Sequence, residues 1–323
     1  MKISREKLFA EAASTGFRAD MLEKVARLLG LLHAMQQHPY SNGKLVLKGG
    51  TALNLFVFDV PRLSVDIDLN YIGAVGRDQM LDQRPKLEAA LQAVFAREDY
   101  TVRRVPSEHA GGKWLLRYTD ASGMYGNLEV DLNYMFRVPL WPIKKSDSHR
   151  LGAWQASEIP ILDLHELAAG KLAALLARGV ARDIFDAVKI LEHPDIEFAS
   201  LRTAFVVYGA MNRKDWRTVS VDDVDVDPVE LGRQLIPLLR VESEEFTLPA
   251  EEYGAGLVAT CKKLLARLLP FTGNERAFLD KLLEYGEIDA ALLTDDADVQ
   301  TRIQNQPLLY WKTLNVREHR HLD

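Results

Sequence analysis

Two spacings of apolar residues divide the chain. Between residues 4 and 38, Leu8, Phe17, Met21, Val25, Leu28, Leu31, Leu32 and Met35 recur at helical intervals, which predicts one or two amphipathic helices ending before Pro39. Residues 44–48 then read as a short strand, broken by Gly49-Gly50, with a helix resuming over 51–56. From Arg62 to Tyr71 the alternation is complete, polar at 62, 64, 66, 68 and 70 and apolar between them, so a half-buried strand is expected with Asp66 and Asp68 on one face. Leu81, Leu87, Leu91 and Val94 mark a helix, and strands are expected around 101–105, 113–118 and 127–134. In the last of these Glu129, Asp131 and Asn133 share the polar face. From Leu162 onward the pattern turns helical, with helices over 164–176 and from 182 to 191 and turns expected at Pro228, Pro249, Gly273 and Pro307.

A chain of 323 residues, 47% hydrophobic and 27% charged, is long enough for two ordinary globular domains. The pattern gives an α+β (α/β) N-terminal domain over 1–158 and a mainly helical domain over 159–323. No stretch approaches the roughly 18 to 20 apolar residues of a membrane span, and the N-terminal segment lacks an apolar secretory core. The expectation is a cytoplasmic protein with no membrane partner. Its one cysteine, Cys261, excludes an intramolecular disulfide framework and a cysteine-based zinc site, and reads as a packed core thiol. His149, His165 and His319-Arg320-His321 show no zinc-ligand spacing. The net charge of −6 is unevenly spread, because residues 222–252 carry −8 and leave +2 for the remainder. Overall charge therefore does not exclude a nucleic-acid partner. Arg97, Arg103, Arg104, Lys113 and Arg117, with Lys144, Lys145 and Arg150, could track a phosphate backbone.

Two carboxylates at i and i+2 on a strand project roughly 7 Å apart along one face, and both can reach a divalent ion. A solvated polar strand face would carry the same pair, but aspartate is disfavoured in strands, and two in such a run ask for a reason. The glycine pair upstream offers a complementary half, since a Gly-Gly turn opening a helix lets backbone N–H groups approach a phosphate.

Gly49-Gly50-Thr51-Ala52-Leu53, followed by Arg62-x-Ser64-x-Asp66-x-Asp68-Leu69, resembles the first motif of the nucleotidyltransferase superfamily shared with polymerase β. More narrowly it resembles the AbiEii/AbiGii toxin family, which includes the MenT-type toxins. Glu166-Leu167-x-x-x-Lys171-Leu172 and then Arg182-Asp183-x-x-Asp186 are similar to that family's lysine-containing helix and its Arg-Asp-x-x-Asp segment. The resemblance spans about residues 44–191.

It implies a nucleotidyltransferase-type mixed sheet with flanking helices, followed by a helical domain that contributes Lys171 and Asp183 to the cleft. It implies transfer of a nucleoside monophosphate from a nucleoside triphosphate to an acceptor hydroxyl, with release of pyrophosphate. On this reading Asp66, Asp68 and Asp131 hold Mg²⁺ or Mn²⁺, Asp131 being preferred to its neighbour Glu129. Gly49, Gly50, Thr51, Arg62, Ser64 and Lys171 contact the nucleotide, and Lys171 and Asp183 complete the catalytic set. Each has a plainer role open to it: Lys171 as a surface lysine, Asp183 as a helix N-terminal acid, Arg62 and Ser64 as polar strand residues. The acceptor implied is RNA, particularly tRNA ends, and the biological setting a toxin–antitoxin or abortive-infection system with a cognate antitoxin. An antibiotic-type nucleotidyltransferase acting on a small molecule, and a non-catalytic nucleotide-binding partner protein on the same fold, are the competing expectations.

Overall fold

The computed structural model describes residues 3–106, 110–243 and 247–320. His321 and part of the acidic stretch, residues 244–246, lie outside the described residues. The chain forms two compact units, one of residues 1–137, 143–162 and 236–248, the other of 138–142, 163–235 and 249–323. The acidic stretch 222–252 is thus divided between them.

The first unit is built on a seven-stranded mixed sheet. Its strands are β1 (Leu45–Lys48), β2 (Asp66–Tyr71), β3 (Thr101–Arg104), β4 (Gly111–Thr119), β5 (Tyr125–Asn133), β6 (Lys144–Ser146) and β7 (Ile159–Ile161), in the order β3-β4-β5-β2-β1-β7-β6. The pairs β2–β5 and β1–β7 are parallel and the others antiparallel. Apart from Gly126, even-numbered residues of β4 and β5 from Trp114 to Leu132 are buried, while the odd-numbered ones stay partly or fully exposed. At β4 and β5 one sheet face therefore packs into the core and the other stays open. Helices α1 (Arg5–Thr15) and α2 (Ala19–Gln37) fulfil the N-terminal periodicity, and α2 packs against β2, β5 and β7. Helix α4 (Arg77–Arg97) sets Phe95 edge-on against Trp114, with ring centroids 5.9 Å apart.

Between β1 and β2 the expected helix is compressed: a single turn, α3 (Gly49–Ala52), widens into a π-helical turn at Leu53–Val57. π-Turns of this kind are frequent at functional sites. The expected strand over 62–71 is shorter than its alternation suggested. Pairing starts only at Asp66, because residues 62–65 are all buried and no solvent-facing row exists there. Strands β6 and β7, three residues each, were not foreseen; such short runs cannot display a period and gain their form from pairing alone.

The second unit is helical. It contains α5 (Leu164–Arg178), α6 (Ala181–Leu191), α7 (Phe198–Ala210), α8 (Pro228–Gln234), α9 (Ala250–Leu265), α10 (Gly273–Asp280), α11 (Ala297–Gln304) and α12 (Pro307–Arg320). Pro228, Pro249, Gly273 and Pro307, read as turns from the sequence, all stand at helix starts. A proline there loses no intrahelical hydrogen bond, since the first N–H groups have no partner in any case. Cys261 is buried within α9, and burial pushes its thiol up to about 12. Among the described residues no helix is long and apolar enough to cross a membrane.

Candidate active site

Strand pairing in the first unit assembles a row of charge that no local stretch of sequence contains. Lys48 pairs with Asp68, Asp68 with Asp131, and Asp131 with Lys113, so four adjacent strands present the row Lys48–Asp68–Asp131–Lys113 across the sheet. One step along, Asp66 pairs with Glu129. Lys113 Nζ donates to Glu129 Oε2 at 3.1 Å.

Two aspartates in register on neighbouring strands repel one another. Burial raises the Asp131 carboxyl above its ordinary range, the charges of Asp68 and Glu129 add to this, and Lys48 and Lys113 oppose it. Lys113 is shifted upward: partial burial alone would lower it, but the Glu129 hydrogen bond and the charges of Glu129, Asp131 and Asp68 outweigh that effect.

Gly49 closes the row on one side. Its φ of +73° is a left-handed conformation, and a Cβ there would run into the carboxylate of Asp68. Glycine is thus required twice, for the bend and for the space. Thr51, two residues on, donates from Oγ1 to the Asp66 carbonyl at 2.5 Å and lies 2.9 Å from Ser64 Oγ. This ties the glycine turn to the start of β2. Thr51 and Ser64 are buried, and Arg62, 1% exposed, donates to the Leu63 carbonyl at 2.8 Å. At the next position of the same parity on β2, Asn70 is 1% exposed, and its Oδ1 has no hydrogen-bond partner among the described residues. An orphaned acceptor of this kind is ordinarily satisfied by water or an incoming donor.

The donor set is hard oxygen, as a Mg²⁺-type ion prefers. Among the described residues no group of three or more His, Cys, Asp or Glu side chains converges closely enough to hold a metal ion by itself. That is compatible with Mg²⁺, which is ordinarily held by one or two carboxylates together with substrate phosphates and water. The crowding of like charge at Asp68 and Asp131 is the feature a cation would relieve, so the residues fit the ion.

The second unit holds the other predicted residues. Gly179, with φ of +62°, ends α5 and lets the chain reverse into α6. The hairpin brings Lys171 Nζ to 2.9 Å from both Asp183 Oδ1 and Asp186 Oδ2. Arg178 Nε adds a contact to Asp183 Oδ2 at 3.1 Å. Both aspartates are buried and Lys171 nearly so. Lys171 is therefore an ammonium fixed between two carboxylates rather than a surface lysine.

Sequence reasoning left four residues without a role in these clusters. Asp186 was quoted within a motif but given no role, although its i+3 spacing from Asp183 places both on one helix face. Lys48 and Lys113 flank the carboxylates; Lys48 was not singled out, and Lys113 only as one of the basic residues that could track a phosphate backbone. Glu166, five residues before Lys171, is also buried: it accepts from Trp141 N at 3.2 Å and Tyr208 Oη at 3.0 Å, and desolvation pushes its carboxyl up to about 7.

Residues 31–259 match the family described as nucleotidyl transferase AbiEii toxin, type IV TA system. Among solved structures the chain is similar to MenT4, a nucleotidyltransferase toxin from Mycobacterium tuberculosis H37Rv. The identity is 18% and the TM-score 0.59, over 96% of this chain and 99% of that one, a likeness of fold. No curated protein matches the sequence.

Proposed function

The chain belongs to the AbiEii nucleotidyl transferase toxin family of type IV toxin–antitoxin systems, and from that premise we propose that it transfers a nucleoside monophosphate from a nucleoside triphosphate to a hydroxyl of RNA. The single observation that carries this reading is the register of Asp68 against Asp131, with the Gly49 backbone packed close against the Asp68 carboxylate. Two carboxylates held together against their mutual repulsion, beside a glycine turn, suit a polyphosphate with its counter-ion.

The acceptor oxygen forms a bond to the α-phosphorus, the bond from that phosphorus to the bridging oxygen breaks, and pyrophosphate leaves. Asp131 draws the hydroxyl proton and Gly49-Gly50 offer backbone N–H groups to the phosphates. Thr51, Ser64 and Arg62, buried as they are, serve the nucleotide by fixing the turn that presents these groups. Mg²⁺ or Mn²⁺, held by one or two of the carboxylates of Asp66, Asp68 and Asp131 together with the substrate and water, would supply neutralisation of the charge on the triphosphate. Lys171, oriented by Asp183 and Asp186, is assigned to the same reaction by its motif. In the cell the protein would act in the cytoplasm as the toxin opposed by its antitoxin, in phage defence.

The test is incubation of the purified chain with each α-³²P-labelled nucleoside triphosphate, Mg²⁺ and total RNA, with γ-labelled triphosphate in parallel. Label in RNA and labelled pyrophosphate, both abolished by Asp68→Asn, are expected. Label on a small molecule instead, or no transfer, would overturn the reading.

A further inference from the structure

The open sheet face does not end at the carboxylate row. Along β5 from Asp131 the same-parity positions are Glu129, Asn127 and Tyr125, and their β4 partners are Leu115, Arg117 and Thr119. Beyond β4, edge strand β3 places Thr101 opposite Arg117 and, across a register shift, Arg104 opposite Leu115. Beyond the carboxylate row this face thus carries Arg104, Arg117 and Tyr125, with Arg103 at the register shift beside them.

These arginines differ from those that carboxylates neutralise. Arg27, Arg84, Arg202 and Arg217 are all engaged by carboxylates at 2.6 to 2.7 Å. Arg103, Arg104 and Arg117 have no carboxylate partner within 4.0 Å among the described residues. Arg103 and Arg104 are exposed on the sheet edge. The Arg117 guanidinium lies over the Tyr125 ring, 4.4 Å from its centroid, and Tyr125 is 69% exposed. A large aromatic ring held in place by a stacked cation, yet left in solvent, offers a free flat face.

We propose that Arg117 and Tyr125, with Arg103 and Arg104, form a subsite for the unpaired end of the RNA acceptor, a base stacking on Tyr125 while the arginines contact its phosphates. Charge decides between nucleic acid and protein as occupant, since unpartnered guanidinium groups beside an exposed ring suit a polyanion with ring faces. Single-strandedness follows from the ring, because the bases of a duplex are stacked on one another and leave no free face. From Asp131 to the Arg117 row is roughly 13 Å along the strand, a span that a few nucleotides cover. A terminal hydroxyl at Asp131 and a preceding base at Tyr125 can then belong to one strand. Lys113 takes no part, being held by Glu129.

This inference rests on the nucleotidyltransferase reading for its ligand, but RNA binding can be measured without nucleotide. The probe is a fluorescein-labelled ten-nucleotide single-stranded RNA with a free 3′ hydroxyl, followed by anisotropy with the full chain. Tyr125→Ala and Arg117→Ala should each weaken binding about tenfold. The triple variant Arg103→Ala/Arg104→Ala/Arg117→Ala should reduce the slope of log affinity against log salt by about two to three. Lys262→Ala/Lys263→Ala, in helix α9, serves as the control and should bind like the parent. A blunt duplex of the same sequence should bind at least about tenfold more weakly. Unchanged affinity in the Tyr125 and Arg117 variants with unchanged melting temperature, equal loss in the control, or equal binding of the duplex would overturn the proposal. RNA binding through these residues without transfer of label would instead sink the enzymatic reading and leave the subsite standing.

Discussion

Asp68 and Asp131 are register partners on parallel neighbouring strands, flanked by Lys48 on one side and Lys113 on the other. A fold that sought only stability would not place two carboxylates side by side on a sheet. Asp68→Asn and Asp131→Asn should therefore lose at least about a hundredfold in transfer rate while the melting temperature holds or rises. Initial-rate kinetics beside thermal melts checks this. A variant that lost stability in proportion to activity would make the pair structural.

Gly49 and Asp68 are coupled by space. Gly49→Ala should cost about 1–3 kcal/mol, from a left-handed conformation imposed on a residue with a Cβ and from its collision with the Asp68 carboxylate. In Gly49→Ala/Asp68→Ala only the conformational part should remain, so the two effects would fall short of additive. Denaturant unfolding of the four proteins of the cycle measures the difference.

The ion group of α5 and α6 can be separated into fold and chemistry. Lys171→Met leaves Asp183 and Asp186 buried with their shared cation gone, a loss of about 3–5 kcal/mol. Lys171→Met/Asp183→Asn/Asp186→Asn removes the two buried carboxylate charges as well and should recover most of that stability by denaturant titration. Transfer activity should stay absent in both. Recovery of activity with stability would show Lys171 to be a scaffold residue alone.

Glu166 gives the second unit a dependence on pH. Desolvation raises its carboxyl to about 7 from an ordinary 4.5, against the lowering effect of the Leu140 and Trp141 amides and the Tyr208 hydroxyl, while the charge of Asp163 adds to the rise. Between those values the folded chain keeps a proton that the unfolded chain has released. The group's contribution is therefore fully present below about pH 4.5, falls as the pH climbs to about 7, and is level above it. The fall amounts to about 3 kcal/mol. The stability difference between the parent and Glu166→Gln, measured from pH 4.5 to 8, should shift by about this much in favour of the glutamine variant. A flat difference would show that the three hydrogen-bond donors compensate the buried charge in full.

What could be read along the chain followed from periods. The two-residue alternation put Asp66 with Asp68, and Glu129 with Asp131, because successive strand side chains point to opposite faces whatever the strand's neighbours are. The glycine pair at the end of β1 announced a bend for the same local reason, and the helical spacing after Leu162 announced helices α5 and α6. The two ordered motifs carried the family. Where alternation misled, at Arg62 and Ser64, burial overrode it: the polar side chains are satisfied inside the fold, and pairing begins only at Asp66.

Which strand lies beside which was beyond any local pattern. Asp68 and Asp131 are 63 residues apart in sequence, and their register depends on β5 pairing parallel to β2 while β4 folds back antiparallel upon it. The same holds for Lys171 between Asp183 and Asp186, whose helix positions are local but whose meeting depends on the turn at Gly179. Alternation and helical pitch are properties of one stretch of backbone, so sequence alone fixed which side chains share a face. Meetings of faces lower the free energy only once distant segments have closed on one another, so the tertiary structure alone decided which charges became neighbours.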